Sequence, residues 1–350
     1  MTTDQPEPER LWPEEWQRGP RFSGAYSFMR VPLTRDLRFA DVAIVGVPFD
    51  GGVNHRPGAR FGPRGIRNAT AQVRAHPMPG DPLWGPLETL RVVDYGDLDV
   101  SSPYIAYAID KMQELLAPIF AAGVTPIILG GDHTISLPIL RAMAQTHGPA
   151  SLVHFDAHPD FWKPTDASRP YHHGTPFRLA ADEGLIRVHE SVQIGIRGSV
   201  SGAILHEVRE AGFHMITADE FYELGVHGAL ERLHRVVRPP VYVSLDIDCA
   251  DPAYAPGTGT PEVAGLTSRE LVQLVRGLRG LPIVGFDIVE VAPPFDQSEI
   301  TALLAANLVY EFLELAAALK RGSNRRATSN RAGRASAPAA RRRPRNRPAS

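Results

Sequence analysis

The stretch Val153-His154-Phe155-Asp156-Ala157-His158-Pro159-Asp160 places two carboxylates and an imidazole at alternating positions behind a short apolar run. Like charges packed this closely raise one another's pKa unless a cation compensates them, so the stretch asks for a metal ion. Three other segments carry similar side chains behind apolar runs. Gly130-Gly131-Asp132-His133 follows Ile127-Ile128-Leu129, Asp246 and Asp248 follow 241–245 with Asp251 three residues on, and Glu290 follows 284–288. His133, Asp156, His158, Asp160, Asp246 and Asp248 make too large a set for one tetrahedral zinc with an open position. They suit two divalent ions bridged by carboxylates, and a donor set this rich in oxygen accepts Mn²⁺, Ni²⁺, Co²⁺ or Zn²⁺. Two ions about 3.5–4 Å apart would lower the pKa of a shared water toward neutrality, so the implied reaction is hydrolysis. His154 lies inside the apolar run and reads as a hydrogen-bonded core histidine rather than a ligand.

The elements that must position these residues alternate. Strands are predicted over 42–47, 90–94, 125–129, 151–155, 191–196, 241–245 and 283–288. Helices are predicted over 103–121, 136–146, 201–210, 268–279 and 299–319, with a further helix start at 61–67 where Pro63 suits a first turn. Strands alternating with helices specify βαβ units, hence an α/β fold with helices on both faces of a mostly parallel central sheet. Ligands in such sheets bind beyond the carboxyl ends of the strands, where all four segments fall. Gly130-Gly131 reads as a tight turn that leaves His133 at a strand's mouth.

A chain of 350 residues with 43% hydrophobic and 22% charged content supports one large domain with a sizeable core. Residues 1–35 read as an N-terminal arm, with Trp12, Trp16, Phe22, Tyr26 and Phe28 available as anchors, and 36–320 as the catalytic domain. The formal net charge of −2 is the sum of −13 for 1–319 and +11 for 320–350. The Arg-, Pro- and Ala-rich segment 321–350 buries too little apolar surface to order itself and is expected to be disordered. No aromatic residue interleaves with its arginines for base stacking, so nucleic-acid binding is not expected. Cys249 is the single cysteine, which excludes an intramolecular disulfide, and 1–20 is acidic and Pro-rich, unlike an export signal. A cytoplasmic protein is expected. The apolar segment 301–319 contains Glu311 and Glu314 and reads as a packed helix rather than a membrane span.

With these residues assembled, the chain resembles the ureohydrolase family of arginase and agmatinase over roughly residues 22–318. The resemblance rests on Gly130-Gly131-Asp132-His133, on Phe155-Asp156-Ala157-His158-Pro159-Asp160, on Ser244-Leu245-Asp246-Ile247-Asp248-Cys249-Ala250-Asp251-Pro252 with Pro256-Gly257-Thr258-Gly259-Thr260-Pro261, and on Val289-Glu290-Val291-Ala292-Pro293-Pro294. It implies an arginase-like three-layer α/β/α single domain that hydrolyses a guanidino compound to urea plus an amine. It also implies two Mn²⁺ ions, one held by His133, Asp156, Asp160 and Asp246, the other by Asp156, His158, Asp246 and Asp248. Hydroxide held between the ions would attack the planar guanidinium carbon. Glu290 matches the family's guanidinium-orienting glutamate, a carboxylate being able to pair with two N–H groups at once. His173 matches the proton-shuttle histidine, with His172 as the competing candidate. His173, Asp160 and Glu290 are thus the catalytic candidates. A homo-trimer or homo-hexamer is implied as well.

His173-Gly174-Thr175-Pro176-Phe177, Phe28-Met29-Arg30-Val31-Pro32 and Arg56-Pro57-Gly58-Ala59-Arg60-Phe61-Gly62-Pro63 resemble the agmatinase branch, which includes guanidinobutyrase and guanidinopropionase. The expected substrate is therefore agmatine or, alternatively, a guanidino acid or a biguanide-type compound. One departure stands out: Phe161-Trp162-Lys163 replaces the branch's Thr-Trp-Asp. It reads either as a reshaped pocket or as a solvated loop charge. A non-catalytic structural subunit is the other class of reading, and the presence of all six metal-type residues, Glu290 and His173 argues against it.

Overall fold

The computed structural model describes residues 20, 23, 27–73, 85–100, 103–164, 166 and 168–335, with side chains through 323. The apolar, β-branched runs form strands β1 (Val42–Val47), β2 (Val92–Asp97), β3 (Thr125–Gly130), β4 (Ser151–Phe155), β5 (Val192–Ile196), β6 (His214–Thr217), β7 (Val241–Asp246) and β8 (Ile283–Val289). They make one sheet in the order β2-β1-β3-β8-β7-β4-β5-β6, with every neighbouring pair parallel. A parallel sheet must bury both faces, and strand residues alternate between them. In β1, Val42 and Ile44 enter one core while Ala43, Val45 and Val47 enter the other.

The helices of seven residues or more are α1 (Gly62–Ala69), α2 (Ile105–Ala121), α3 (Ser136–His147), α4 (Pro176–Asp182), α5 (Gly202–Glu210), α6 (Ala218–Val236), α7 (Ser268–Gly277) and α8 (Ile300–Ala335). α1, α6, α7 and α8 pack their apolar sides on one face. α2, α3, α4 and α5 cover the other, completing the three layers.

Strand order positions the site. The chain leaves β3, skips two places to lay down β4, and fills the gap later with β7 and β8. The four strands that deliver His133, Glu290, Asp246 with Asp248, and Asp156 with Asp160 therefore lie side by side at the centre of the sheet. Their carboxyl ends open toward the same crevice.

Three features differ from the sequence reading. β6 and α6 were not expected, because β6 is a four-residue edge strand and α6 mixes polar residues with a kink at Gly225. A capping box does announce α6: Thr217 Oγ1 accepts from Glu220 N at 3.2 Å and Glu220 Oε2 accepts from Thr217 N at 3.0 Å. Second, α8 runs on to Ala335, into the segment expected to be disordered from 321. Ala and Arg favour helix, no proline interrupts 300–335, and extending a packed helix avoids a new nucleus. Residues 336–350 lie outside the described residues. Third, short α4 was not read as an element although Pro176 sits in its first turn.

The apolar part of α8, within Ile300–Ser323, is long enough to cross a membrane by composition, but 72% of that window is buried inside the protein. Both of its carboxylates accept from protein donors there: Arg276 donates to Glu311 at 2.6 and 2.9 Å, and Tyr310 Oη donates to Glu314 Oε1 at 3.0 Å. Of the arm's expected anchors, Phe28 is buried and donates its N–H to Asp94 Oδ2 at 2.7 Å. Trp12, Trp16, Phe22 and Tyr26 lie outside the described residues.

Candidate metal centre

The turn after β3 depends on absent side chains rather than unusual dihedrals. Neither Gly130 nor Gly131 has positive φ. A Cβ on Gly131 would lie 2.2 Å from Phe49 O and 2.7 Å from Val47 O, and one on Gly130 would meet Val289 Cγ1 at 2.7 Å. The glycines let β3 run close against β1 and β8. Asp132 then accepts from Thr134 N at 2.9 Å and from Gly52 N at 2.7 Å, pinning the 49–58 loop beside His133.

All six metal-type residues meet at this point. His133 Nδ1 lies 2.9 Å from Asp160 Oδ2, 3.1 Å from Asp156 Oδ2 and 3.2 Å from Asp246 Oδ2. On the other side of Asp156, His158 Nδ1 lies 3.4 Å from Asp156 Oδ1 and 3.0 Å from Asp248 Oδ2. Asp156 thus faces both histidines, one with each oxygen. His133 Nδ1 is buried without a hydrogen-bond partner, although three carboxylates surround it. A ring nitrogen and three carboxylates converging without hydrogen-bond geometry fit a divalent cation.

The supporting atoms fix the ring. Ser244 Oγ donates to Asp287 Oδ1 at 2.6 Å, so its oxygen is left to accept from His133 Nε2 at 2.9 Å. With a proton held on Nε2 by Ser244, Nδ1 is the nitrogen left to offer a lone pair to a cation among the carboxylates. Asp287 also accepts from Ser136 Oγ at 2.9 Å and Tyr242 Oη at 2.7 Å. His154 Nε2 contacts Asp156 Oδ2 at 2.8 Å and its Nδ1 contacts Gln193 Nε2 at 3.1 Å, so both ring nitrogens are engaged in holding Asp156. Ser244, Asp287 and Gln193 were missed in the sequence. A single polar residue inside an apolar strand does not disclose its partner, even where, like Ser244, it opens a motif, although a charged residue predicted on a buried strand is itself a signal.

His173 and Glu290 meet beside the cluster. Glu290 Oε1 accepts from His133 N at 2.9 Å and lies 3.0 Å from His173 Nδ1, while His173 Nε2 lies 2.9 Å from Asn54 Oδ1. Glu290 Oε2 is buried and unpartnered. One oxygen is therefore committed and one is free, where two free oxygens were expected. His172 Nδ1 instead accepts from Gly174 N at 3.1 Å, so geometry favours His173. Asp160 and Glu290 are non-glycine residues at φ 46° and 62°, which typically costs of order 1–3 kcal/mol each and marks positions held for a purpose.

Charge explains how the site titrates without cations. Burial pushes Asp246 well above the usual carboxylate range, with Asp248 and Asp156 adding repulsion. Burial raises Asp248 too. Asp156 would also be raised by burial, but His154, His133 and His158 hold it well below the usual range. Burial alone would lower the imidazoles, yet Asp160, Asp156 and Asp246 raise His133 well above its ordinary value, and Asp248 with Asp156 raises His158 to about 12. Protons thus compensate the carboxylates, and bound cations would displace them.

The Phe161-Trp162-Lys163 departure is placed largely outside this cluster. Phe161 is buried in the core edge-on to Phe213, with centroids 5.5 Å apart, and the exposed Lys163 pairs with Glu207 on α5. Trp162 alone turns inward, its ring 6.5 Å from that of His158.

Residues 40–314 match the model of the arginase family. The chain belongs to the arginase family. It is 46% identical over 301 residues to guanidinopropionase of Pseudomonas aeruginosa, covering 85% of this chain and 93% of that one. It is 44% identical over 292 residues to the mitochondrial agmatinase of Gallus gallus, covering 83% and 85%. The structure of proclavaminate amidinohydrolase from Streptomyces clavuligerus superimposes with a TM-score of 0.82 at 42% identity, covering 86% of this chain and all of that one. Arginase-family membership makes the protein a hydrolase of carbon–nitrogen bonds in linear amidines, acting on a guanidino compound.

Proposed function

We propose that the protein hydrolyses a small guanidino acid to urea and the corresponding amino acid, using two divalent ions, Mn²⁺ the expected pair. The observation that carries the metal reading is Asp156 facing His133 and His158 with separate oxygens, beside a buried ring nitrogen without a hydrogen-bond partner. His133, Asp156, Asp160 and Asp246 would hold one ion, and Asp156, His158, Asp246 and Asp248 the other. When bound, such ions lower the pKa of water and supply positive charge against the charge developing on the substrate.

The remaining steps belong to the chain. Glu290 Oε2 accepts from a guanidinium N–H, while Oε1 stays fixed by the His133 N–H. A Cβ on Gly259 would lie 3.7 Å from that free oxygen, so glycine keeps the space before it open. His173, in contact with Glu290, delivers a proton to the departing amine nitrogen. Guanidinium is planar, and carboxylate recognition orients it before attack.

Similarity to guanidinopropionase supports a guanidino acid, and similarity to an agmatinase at nearly equal identity supports agmatine as the second reading. Urea release from 3-guanidinopropionate, 4-guanidinobutyrate, agmatine and a biguanide, each with Mn²⁺, Ni²⁺, Co²⁺ and Zn²⁺, separates them. A guanidino acid should give the highest kcat/KM. Preference for agmatine would overturn the substrate, and no urea from any pairing would favour the inactive structural subunit.

A further inference from the structure

The half-buried Arg197, just beyond β5, makes an unusual set of contacts. Its Nε donates to Val263 O at 2.9 Å, and one terminal nitrogen donates to Gly195 O and Cys249 O, each at 3.1 Å. The other donates to Asp248 O at 2.8 Å, Glu262 O at 2.8 Å and Ala250 O at 3.1 Å. Six backbone carbonyls from three separate segments thus face one guanidinium. No carboxylate is among these partners, so the cation serves as a bracket for backbone.

Every bracketed segment abuts the His158 side of the metal cluster. Asp248 is itself a candidate ligand, and the two carbonyls after it belong to the same turn. The 262–263 segment follows Thr260, whose Oγ1 donates to Asp248 Oδ2 at 3.2 Å. Arg197 also reaches the β4 loop, its N–H donating to Ala157 O at 2.9 Å, and Ala157 N donates to Asp248 Oδ1 at 3.1 Å. Gly195 passes so near that loop that a Cβ there would lie 2.9 Å from Asp156 O. None of the guanidinium's partners lies on the β3 turn that carries His133.

We propose that Arg197 is a positioning residue for one ion of the pair, the one held on the His158 and Asp248 side, and not for the other. The proposal rests on the two-metal reading above. The planar fork offers five N–H groups in fixed directions, so six carbonyls can be held only with sharing, and lysine's three donors on a flexible stem cannot reproduce the set. Without the bracket, the Asp248 turn keeps its sequence but loses its fixed distance to His158.

Full-length wild type, Arg197→Lys and Arg197→Gln, stripped of metal, are titrated with Mn²⁺ alone by calorimetry, alongside circular dichroism and melting. His158→Ala marks which binding step belongs to that side. Wild type should bind two ions per chain in two steps. Both Arg197 variants should weaken the His158-side step roughly 10–100-fold and leave the other unchanged, with native circular dichroism. A merely structural role would weaken both steps together. An unchanged His158-side step overturns the proposal, and so does unfolding of both variants, which would make Arg197 a requirement of the fold. Failure of the two-metal reading is distinguishable, because wild type itself would then bind fewer than two ions.

Discussion

The two halves of the candidate metal centre share Asp156 and Asp246 but are built differently. The His133 half is sealed: its ring is fully buried, edge-on to Phe177 with centroids 5.1 Å apart, and backed by Ser244 and Asp287. The His158 half is open, with a side chain 18% exposed and an Nε2 that lies 3.9 Å from Glu262 Oε1, beyond hydrogen-bond range. A ring fixed at its far nitrogen loses little freedom on binding metal, whereas a ring free at that nitrogen must be ordered at a cost. The sealed half should hold its ion longer, and the open half should exchange first.

The change that erases the distinction should have the largest effect. Asp156→Ala removes one of the two carboxylates common to both halves, the one that faces both histidines, and is expected to abolish metal binding and urea release together. Metal analysis after desalting checks this, and an ion retained by the variant would show that the halves are independent. His173→Ala comes next, slowing turnover by roughly 10²–10⁴-fold while both ions stay bound, since it stands outside both ligand sets. Burial would lower the His173 pKa, but Glu290, Asp160 and Asp132 raise it to about 9 without metal. The proton it donates is thus present below that pH and lost above it. Two nearby dications oppose the charge, so loading metal should move this titration toward lower pH, as NMR of the ring would show.

Ser244→Ala separates the halves at their supports. It leaves the His133 ring without its acceptor, and affinity on that side should drop roughly 10–100-fold. In wild type a limiting chelator should empty the His158 side first; in Ser244→Ala the order should converge or invert, read as ions per chain against chelator. An unchanged order would refute the link between backing and retention.

The same contrast explains what could be read from the chain. The residues of both halves were legible as candidates, because Asp156, His158 and Asp160 sit in one short stretch and His133, Asp246, Asp248 and Glu290 each end an apolar run. Strand order was not legible: right-handed crossovers limit how parallel strands connect, yet nothing local says that β7 and β8 fill the gap left between β3 and β4. Residues whose role depends on that order were missed for the same reason. Ser244 and His133 are 111 residues apart, and Ser136 and Asp287 are 151 apart. The Gly130-Gly131 turn was legible but its cause was not, since a close approach between strands and a positive φ look identical as a glycine in sequence. The reach of α8 beyond 320 was not legible, because composition reports what a segment can bury, not what helix it extends.

The smallest effect is expected at Lys163, in the loop that follows Asp160. Sequence alone left two readings, a reshaped pocket or a solvated charge, and the structure places the ammonium against Glu207. Glu207 keeps a second partner if the lysine is removed, because Arg178 donates to the same carboxylate oxygen at 2.9 Å. An exposed pair of this kind contributes little by itself. Lys163→Ala should therefore leave the ratio of kcat/KM for agmatine to that for 3-guanidinopropionate unchanged, along with both metal-binding steps. Trp162 is the residue of this loop whose ring turns toward His158, so a substitution there should change the ratio where Lys163→Ala does not. If removing Lys163 shifted the ratio by about tenfold or more, the loop's charge would reach the substrate, and the openness of the His158 half would be a specificity feature as well as a route for metal exchange.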